Sequence, residues 1–355
     1  MHRNVLASLA IAAAVACGRS VPNIPAATPP EVQLRSIPDS EPTQVEMRNV
    51  DFHVGGDVVL HVRRLVAVMR GRDGVVNFDD SRSFTTFVSS AEAALTAGDL
   101  TNLMNHHVFA YPGAPLSHIK VELRDGELWQ SGILHKGVAI PFKIRSVVSV
   151  TPEGLLRLHP VSTKIFCVNG TKLMAALHLS MEKMVDLSRA VGVTIEENDF
   201  LIDPIRVLPP PKIRGRVIAA RVENGLLVQT IGPDPAAEAV VAHAAMLPDT
   251  TARNYMYYHG GRLKFGRKLL MTDADMLVVD ADPSTPFDFD IDRYMVQLIS
   301  GYSRTTERAG LWVHMPDLNE TRRLEQAAGG EVALPRDTGC NCAQPTARKS
   351  KGGSD

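Results

Sequence analysis

The chain has 355 residues, 45% hydrophobic and 22% charged, and its 38 basic side chains against 39 acidic leave a formal net charge of −1. Those proportions suit a folded protein with ample apolar material and exclude disorder as the global state. The balanced charge and the 5% aromatic content disfavour a nucleic-acid binder, and four cysteines are too few for a disulfide-built scaffold. Length alone suggests one large or two modest domains.

In chain order, residues 1–16 read as a signal peptide. Arg3 supplies a thin positive start, and the apolar run 5–16 is shorter than the ~20 residues that a membrane-spanning helix needs. The residues that follow, Ala14-Val15-Ala16-Cys17-Gly18, resemble a bacterial lipobox. That resemblance implies acylation of Cys17 and a membrane-anchored mature N-terminus, since several acyl chains hold stably where one is marginal. Gly18, in place of an acidic residue, implies release to the outer membrane in a Gram-negative cell. The expected location is therefore the bacterial cell envelope, lipid-anchored at the outer membrane and facing the periplasm. The competing reading is an ordinary signal cleaved after Ala16. Residues 17–45, rich in Pro, Ser, Ala and Thr, are expected to form a lipidated disordered tether.

Residues 46–232 are expected to fold as a β/α domain of long curved antiparallel hairpins. Turn pairs punctuate it at Asp73-Gly74, Asp125-Gly126, Glu153-Gly154 and Asn224-Gly225. The clearest strand, Ile119-Lys120-Val121-Glu122-Leu123-Arg124, alternates with period two, so one face is dry and the other wet. Thr96-Ala97-Gly98-Asp99 has capping-box form and opens a short helix that ends near His106-His107. A longer amphipathic helix is expected over 171–190, with Leu173, Met174, Leu177, Met181, Met184, Val185, Leu187 and Val191 on its apolar stripe. From the stripe alone, packing against the sheet is the plainer reading.

Residues 233–325 read as a β-rich extension of the same domain, with a turn at Gly260-Gly261 and a short helix near 291–299. Residues 326–355 read as a disordered tail. No stretch beyond the signal is apolar enough to span a membrane.

The search for chemistry finds no nucleophile elbow, P-loop, dinucleotide fingerprint or zinc-protease motif, so no catalytic residue, metal site or cofactor is expected. His106 and His107 are adjacent and would point about 100° apart on an α-helix, which disfavours a shared metal. Asp273, Asp275, Asp280, Asp282, Asp288, Asp290 and Asp292 crowd together. The Asp288 frame fails as a calcium loop, because Arg293 and Ile299 stand where Gly and Glu are required. These acids are expected to be a solvated edge. Cys340 and Cys342 lack the second ligand pair of a zinc site, and Cys167 has no evident partner.

Three segments together resemble a family of secreted bacterial lipid-binding proteins, the one that includes the mycobacterial lipomannan elongation factor. They are the helix start at Ala97-Gly98-Asp99-Leu100, the strand–Asp125-Gly126–strand unit running to Gly132, and Leu208-Pro209-Pro210 ahead of the Asn224-Gly225 hairpin. The chain also resembles uncharacterised bacterial lipoproteins that share Phe109-Ala110-Tyr111-Pro112-Gly113. The resemblance covers roughly residues 47–231. It implies an α+β, β-rich fold like the tubular lipid-binding superfamily, a half-barrel whose curved sheet wraps long helices around an apolar groove. On that basis Leu173, Leu177, Met181 and Met184 would line the groove opposite Val121 and Leu123. The implied function is non-catalytic binding or transfer of a lipid or another long apolar ligand, with acyl chains and the membrane as partners. The alternative is a scaffolding envelope lipoprotein with a filled core that binds a protein through its acidic edge.

Overall fold

A computed structural model describes residues 41–165, 168–169, 185–236, 251–306 and 310–327. Cys17, Leu173, Leu177, Met181, Met184, Cys167, Cys340 and Cys342 lie outside the described residues, as do the signal, most of the tether and the tail. The structure is β-rich, 55% strand against 10% helix, with a sheet curled into a half-barrel.

Three long strands build the first sheet: β1 (Thr43–Val54), β2 (Val58–Gly71) and β4 (Phe84–Thr96). In β1, Val50, Phe52 and Val54 alternate into the core, whereas the earlier stretch from Val45 to Met47 is buried on both faces. Double burial follows from the strand's central place. It pairs with β2 on one side and with β15 (Tyr255–His259) on the other. The sheet continues from β15 through β18 (Asp275–Asp280) and β21 (Leu311–Met315) to β20 (Tyr302–Thr305). On the opposite side β4 pairs with β14 (Leu226–Gly232), which pairs with β13 (Arg216–Glu223). Two parallel strands complete it: β12 (Lys212–Arg214) beside β4, and β19 (Phe287–Asp290) beside β1.

The second sheet holds β5 (Leu116–Arg124), β6 (Glu127–Lys136), β7 (Val138–Val150) and β8 (Leu156–Ile165), joined in sequence by hairpins. Beyond β8 lie β11 (Asp199–Ile202) and β10 (Val193–Glu196), and the short β9 (Val168–Asn169) pairs with the end of β8. The β5–β6 turn places Asp125 at φ 57° and Gly126 at φ 75°, and the β13–β14 turn repeats this with Asn224 and Gly225. Both central residues at positive φ are the tight-turn geometry that these pairs favour.

The Asp73-Gly74 turn differs from the expectation. Gly71 already faces Phe84 across β2–β4, and the intervening chain leaves the sheet. It forms β3 (Val76–Asn77), which pairs with β16 (Leu263–Lys264), itself paired with β17 (Leu270–Met271). Three helices are described besides a π-helical turn: α1 (Ala97–Leu103), α2 (Tyr294–Ser300) and α3 (Leu318–Ala327). Residues 185–190 are not helical, against the expected helix over 171–190. Asp186 accepts the N–H of Ser188 at 2.9 Å, a local bond that competes with helix, and Val191 is exposed.

Next to β15–β19 the core is aromatic and filled. Phe78, Phe265 and Tyr294 pack against one another at tilted and edge-on angles, with ring centroids 4.7–6.1 Å apart, and Tyr258 meets Phe78 edge-on. Gln297, wholly buried, accepts the N–H of Asp290 and donates to the carbonyls of Asp288 and Pro316. This amide ties α2 to β19 and to the end of β21.

The acidic cluster is only in part a solvated edge. Asp280 and Asp290 are 4% and 2% exposed. Their carboxylates accept backbone N–H groups, Asp282 at 2.8 Å for the first and Asp292 at 2.9 Å for the second, so these acids build turns. Asp273, Asp282 and Asp292 remain exposed.

Candidate functional site

The second sheet encloses the most apolar space among the described residues. Strand alternation sets its wall: Ile140, Phe142 and Ile144 of β7 point the same way, as residues i, i+2 and i+4 must. Leu134 of β6 and Phe200 and Ile202 of β11 face them, and Met104 and Phe109 close one side. The cavity has a volume of about 60 Å³, and its only polar lining residues are Gln130 and Thr163. A second, smaller apolar compartment of about 30 Å³ shares Met104, Gln130 and Ile202 with it and reaches Leu95 and Leu227 of the first sheet.

Helix α1 seals the edge of this sheet, and local chemistry explains how. The capping box forms: the Thr96 hydroxyl accepts the N–H of Asp99 at 3.1 Å, and the Asp99 carboxylate accepts the N–H of Thr96 at 2.9 Å. One helical turn apart, Thr101 accepts the N–H of Val121 at 3.0 Å, and Asn105 pairs with both N–H and C=O of Ile119. The free backbone of edge strand β5 is thereby satisfied by helix side chains. The other side of the helix turns Leu100, Leu103 and Met104 into the apolar space.

The start of α1 is pinned electrostatically to β2. His61 lies between Asp51 at 2.7 Å and Asp99 at 3.5 Å. Its hydrogen bonds to Asp51 and Asp99 outweigh the opposing effect of burial and push its pKa from 6.5 up to about 9. Burial pushes the Asp99 carboxyl upward, but hydrogen bonds from His61, Thr96 and Val59 prevail and hold it below its ordinary value.

Of the residues expected in a groove, Val121 is buried on β5 and lines the second compartment. Leu123 is buried on the same face but belongs to the packed core and not to the cavity lining. The wall residues on β7 and β11 escaped notice in the sequence, although the period-two run of Ile140, Phe142 and Ile144 carries the signal. His106 and His107 also behave differently from expectation. Both ring systems approach Asp57 of the β1–β2 turn, because this stretch, Met104–Val108, winds as a π-helical turn. Among the described residues no group of three or more His, Cys, Asp or Glu is arranged to hold a metal ion, and no helix is long and apolar enough to cross a membrane.

Fold and site together define a β-rich protein of two large sheets and one small one, with an apolar cavity inside the second sheet. No family model, curated protein or solved structure matches the chain.

Proposed function

We propose that this chain is a membrane-anchored envelope lipoprotein that binds or passes a lipid or another long apolar ligand, without catalysis, in a half-barrel of tubular lipid-binding type. The observation that carries the reading is the cavity itself: an apolar space with two polar side chains in its wall, beside a smaller apolar space that shares Met104, Gln130 and Ile202 with it. Such chambers are where apolar ligands bind in folded proteins. Each methylene moved from water into this space gains about 0.8 kcal/mol before ordering costs, and a long acyl chain enters only as the walls move apart, since the cavity is about 60 Å³. Acylation at Cys17 would keep the chamber near its lipid source. The scaffolding alternative has less support, since the acidic residues it needs at the surface are partly buried.

The test is native mass spectrometry of the full chain released gently from membranes, with organic extraction of the same sample. The expected result is a lipid adduct at near-stoichiometric amount. Recovery of apoprotein alone, from cells and after incubation with mixed lipid vesicles, overturns the reading.

A further inference from the structure

The segment 203–211 is a wall with two different sides. Pro204 and Val207 face the second apolar compartment, while Asp203, Ile205, Arg206 and Leu208 face outward into an open cleft of about 780 Å³. Five cations converge on that cleft from four separate parts of the chain. Arg82 comes from the loop after β3 and Arg206 from the wall itself. Lys212 and Arg214 come from β12, and Arg216 from β13.

The arrangement is built by the backbone. Lys212, Arg214 and Arg216 are alternate residues of extended chain, so they share one face at spacings of roughly 6.6 Å. Arg216 lies directly over the β7–β8 turn: a Cβ on Gly154, which has φ +90°, would come within 2.3 Å of the Arg216 Cγ. The cleft also contains Glu153, Asp203 and Asp234. Asp203 is engaged in accepting the N–H groups of Ile205 and Arg206, and Asp234 approaches Arg214 only to 3.8 Å. Arg82 is drawn electrostatically to Asp292, whereas among the described residues Arg206, Lys212 and Arg216 form no ion pair with a carboxylate. Uncompensated like charges repel, and an anion with several acceptor oxygens relieves that repulsion while engaging guanidinium groups in pairs.

We infer that this cleft is a binding site for a phosphate-bearing ligand, its anionic group held by Arg206, Lys212, Arg214 and Arg216. Where the phosphate belongs to a lipid, the inference rests on the lipid-binding reading above. As a site for a free phosphate compound it does not.

The test titrates inorganic phosphate into the full-length protein at low ionic strength by calorimetry. In parallel, phosphorus is assayed in the organic extract of protein purified from cells. Wild type is expected to bind phosphate saturably, and the double variant Lys212→Gln/Arg214→Gln to bind it at least about tenfold more weakly, as expected for loss of charge-assisted bonds. Arg206→Gln, at an exposed loop position, is a second variant in which folding is not at stake, and the same direction is expected. Phosphorus in the wild-type extract that falls in the variants identifies a lipid phosphate. Saturable binding without extracted phosphorus identifies a free phosphate compound. Equal phosphate affinity in wild type and both folded variants, or no binding at all, overturns the site. Lipid recovered equally from wild type and variants would leave the lipid-binding reading standing while this site fails. Absence of any lipid with intact phosphate binding would do the reverse.

Discussion

Two regions of this molecule share β architecture and solve the core problem in opposite ways. Around β15–β19 the interior is filled by interlocking rings, Phe78, Phe265, Phe289 and Tyr294, and by polar groups with assigned partners, such as Tyr294 donating to Asp79 at 2.6 Å. Inside β5–β11 the interior is mainly aliphatic and leaves space between its walls. Rings of fixed shape make a specified, close-packed interior, whereas a curved sheet lined by Ile, Leu and Val keeps a chamber open. The difference teaches that burial alone does not identify a site. Leu123 and Phe265 are buried as the wall residues are, yet they serve packing.

The largest test of this contrast is truncation. Phe265→Ala is expected to cost about 3–5 kcal/mol, because the rings around it cannot collapse into the gap. Phe142→Ala, where the ring already borders open space, is expected to cost clearly less. Urea unfolding of both variants checks this, and equal losses would remove the distinction between filled and hollow regions.

The opposite substitution sharpens it. Leu263, completely buried, sits in the filled region, and Leu263→Phe is expected to cost about 1–3 kcal/mol by overpacking. Ile144→Phe on the chamber wall is expected to cost under about 1 kcal/mol while lowering the amount of co-purified lipid. Destabilisation of both to the same extent would mean that the chamber is a packed core.

How far the sequence revealed these regions follows from the range of the forces involved. The β5–β6 hairpin and the capping box at Thr96 were legible, because alternation, a turn pair and a Thr-x-x-Asp pattern act within a few residues. Within the candidate site, Val121 was legible for the same reason. The β11 wall was not, since Phe200 and Ile202 reach the chamber only through pairing with β8, some forty residues earlier in the chain. The acidic cluster misled because composition records charge but not the backbone N–H groups that each carboxylate accepts. Asp280 and Asp290 are held inside by those bonds.

The junction between the two regions titrates. His61, with its pKa raised to about 9 from 6.5, binds its proton more tightly folded than unfolded. Its contribution is therefore fully present below pH 6.5 and is lost as pH rises through 9. Wild type is expected to lose on the order of 1–2 kcal/mol across that window, allowing for partial solvent screening. His61→Gln should be less stable at pH 6 and show a flatter profile, with the two curves approaching each other above pH 9. Parallel profiles would show that the clamp between Asp51 and Asp99 does not pin α1.

The smallest effect lies in the filled region. Burial, with repulsion from Asp280 and Asp288 added, pushes the Asp317 carboxyl from 3.8 up to about 6, although it accepts the N–H of Asp288 at 2.8 Å. A carboxyl that holds its proton more tightly when folded favours the fold below pH 3.8, and that advantage disappears as pH rises through 6. Asp317→Asn keeps an oxygen for the Asp288 N–H and carries no charge at any pH. It is expected to match wild type near pH 4 and to exceed it by about 1 kcal/mol at pH 7, read from denaturation midpoints. A variant that is instead less stable at pH 7 would show that the ionised carboxylate is preferred there, stabilised by the α3 N-terminus it precedes. In that case the filled region tolerates buried charge through its own dipoles, and the chamber would differ from it in polarity as well as in packing.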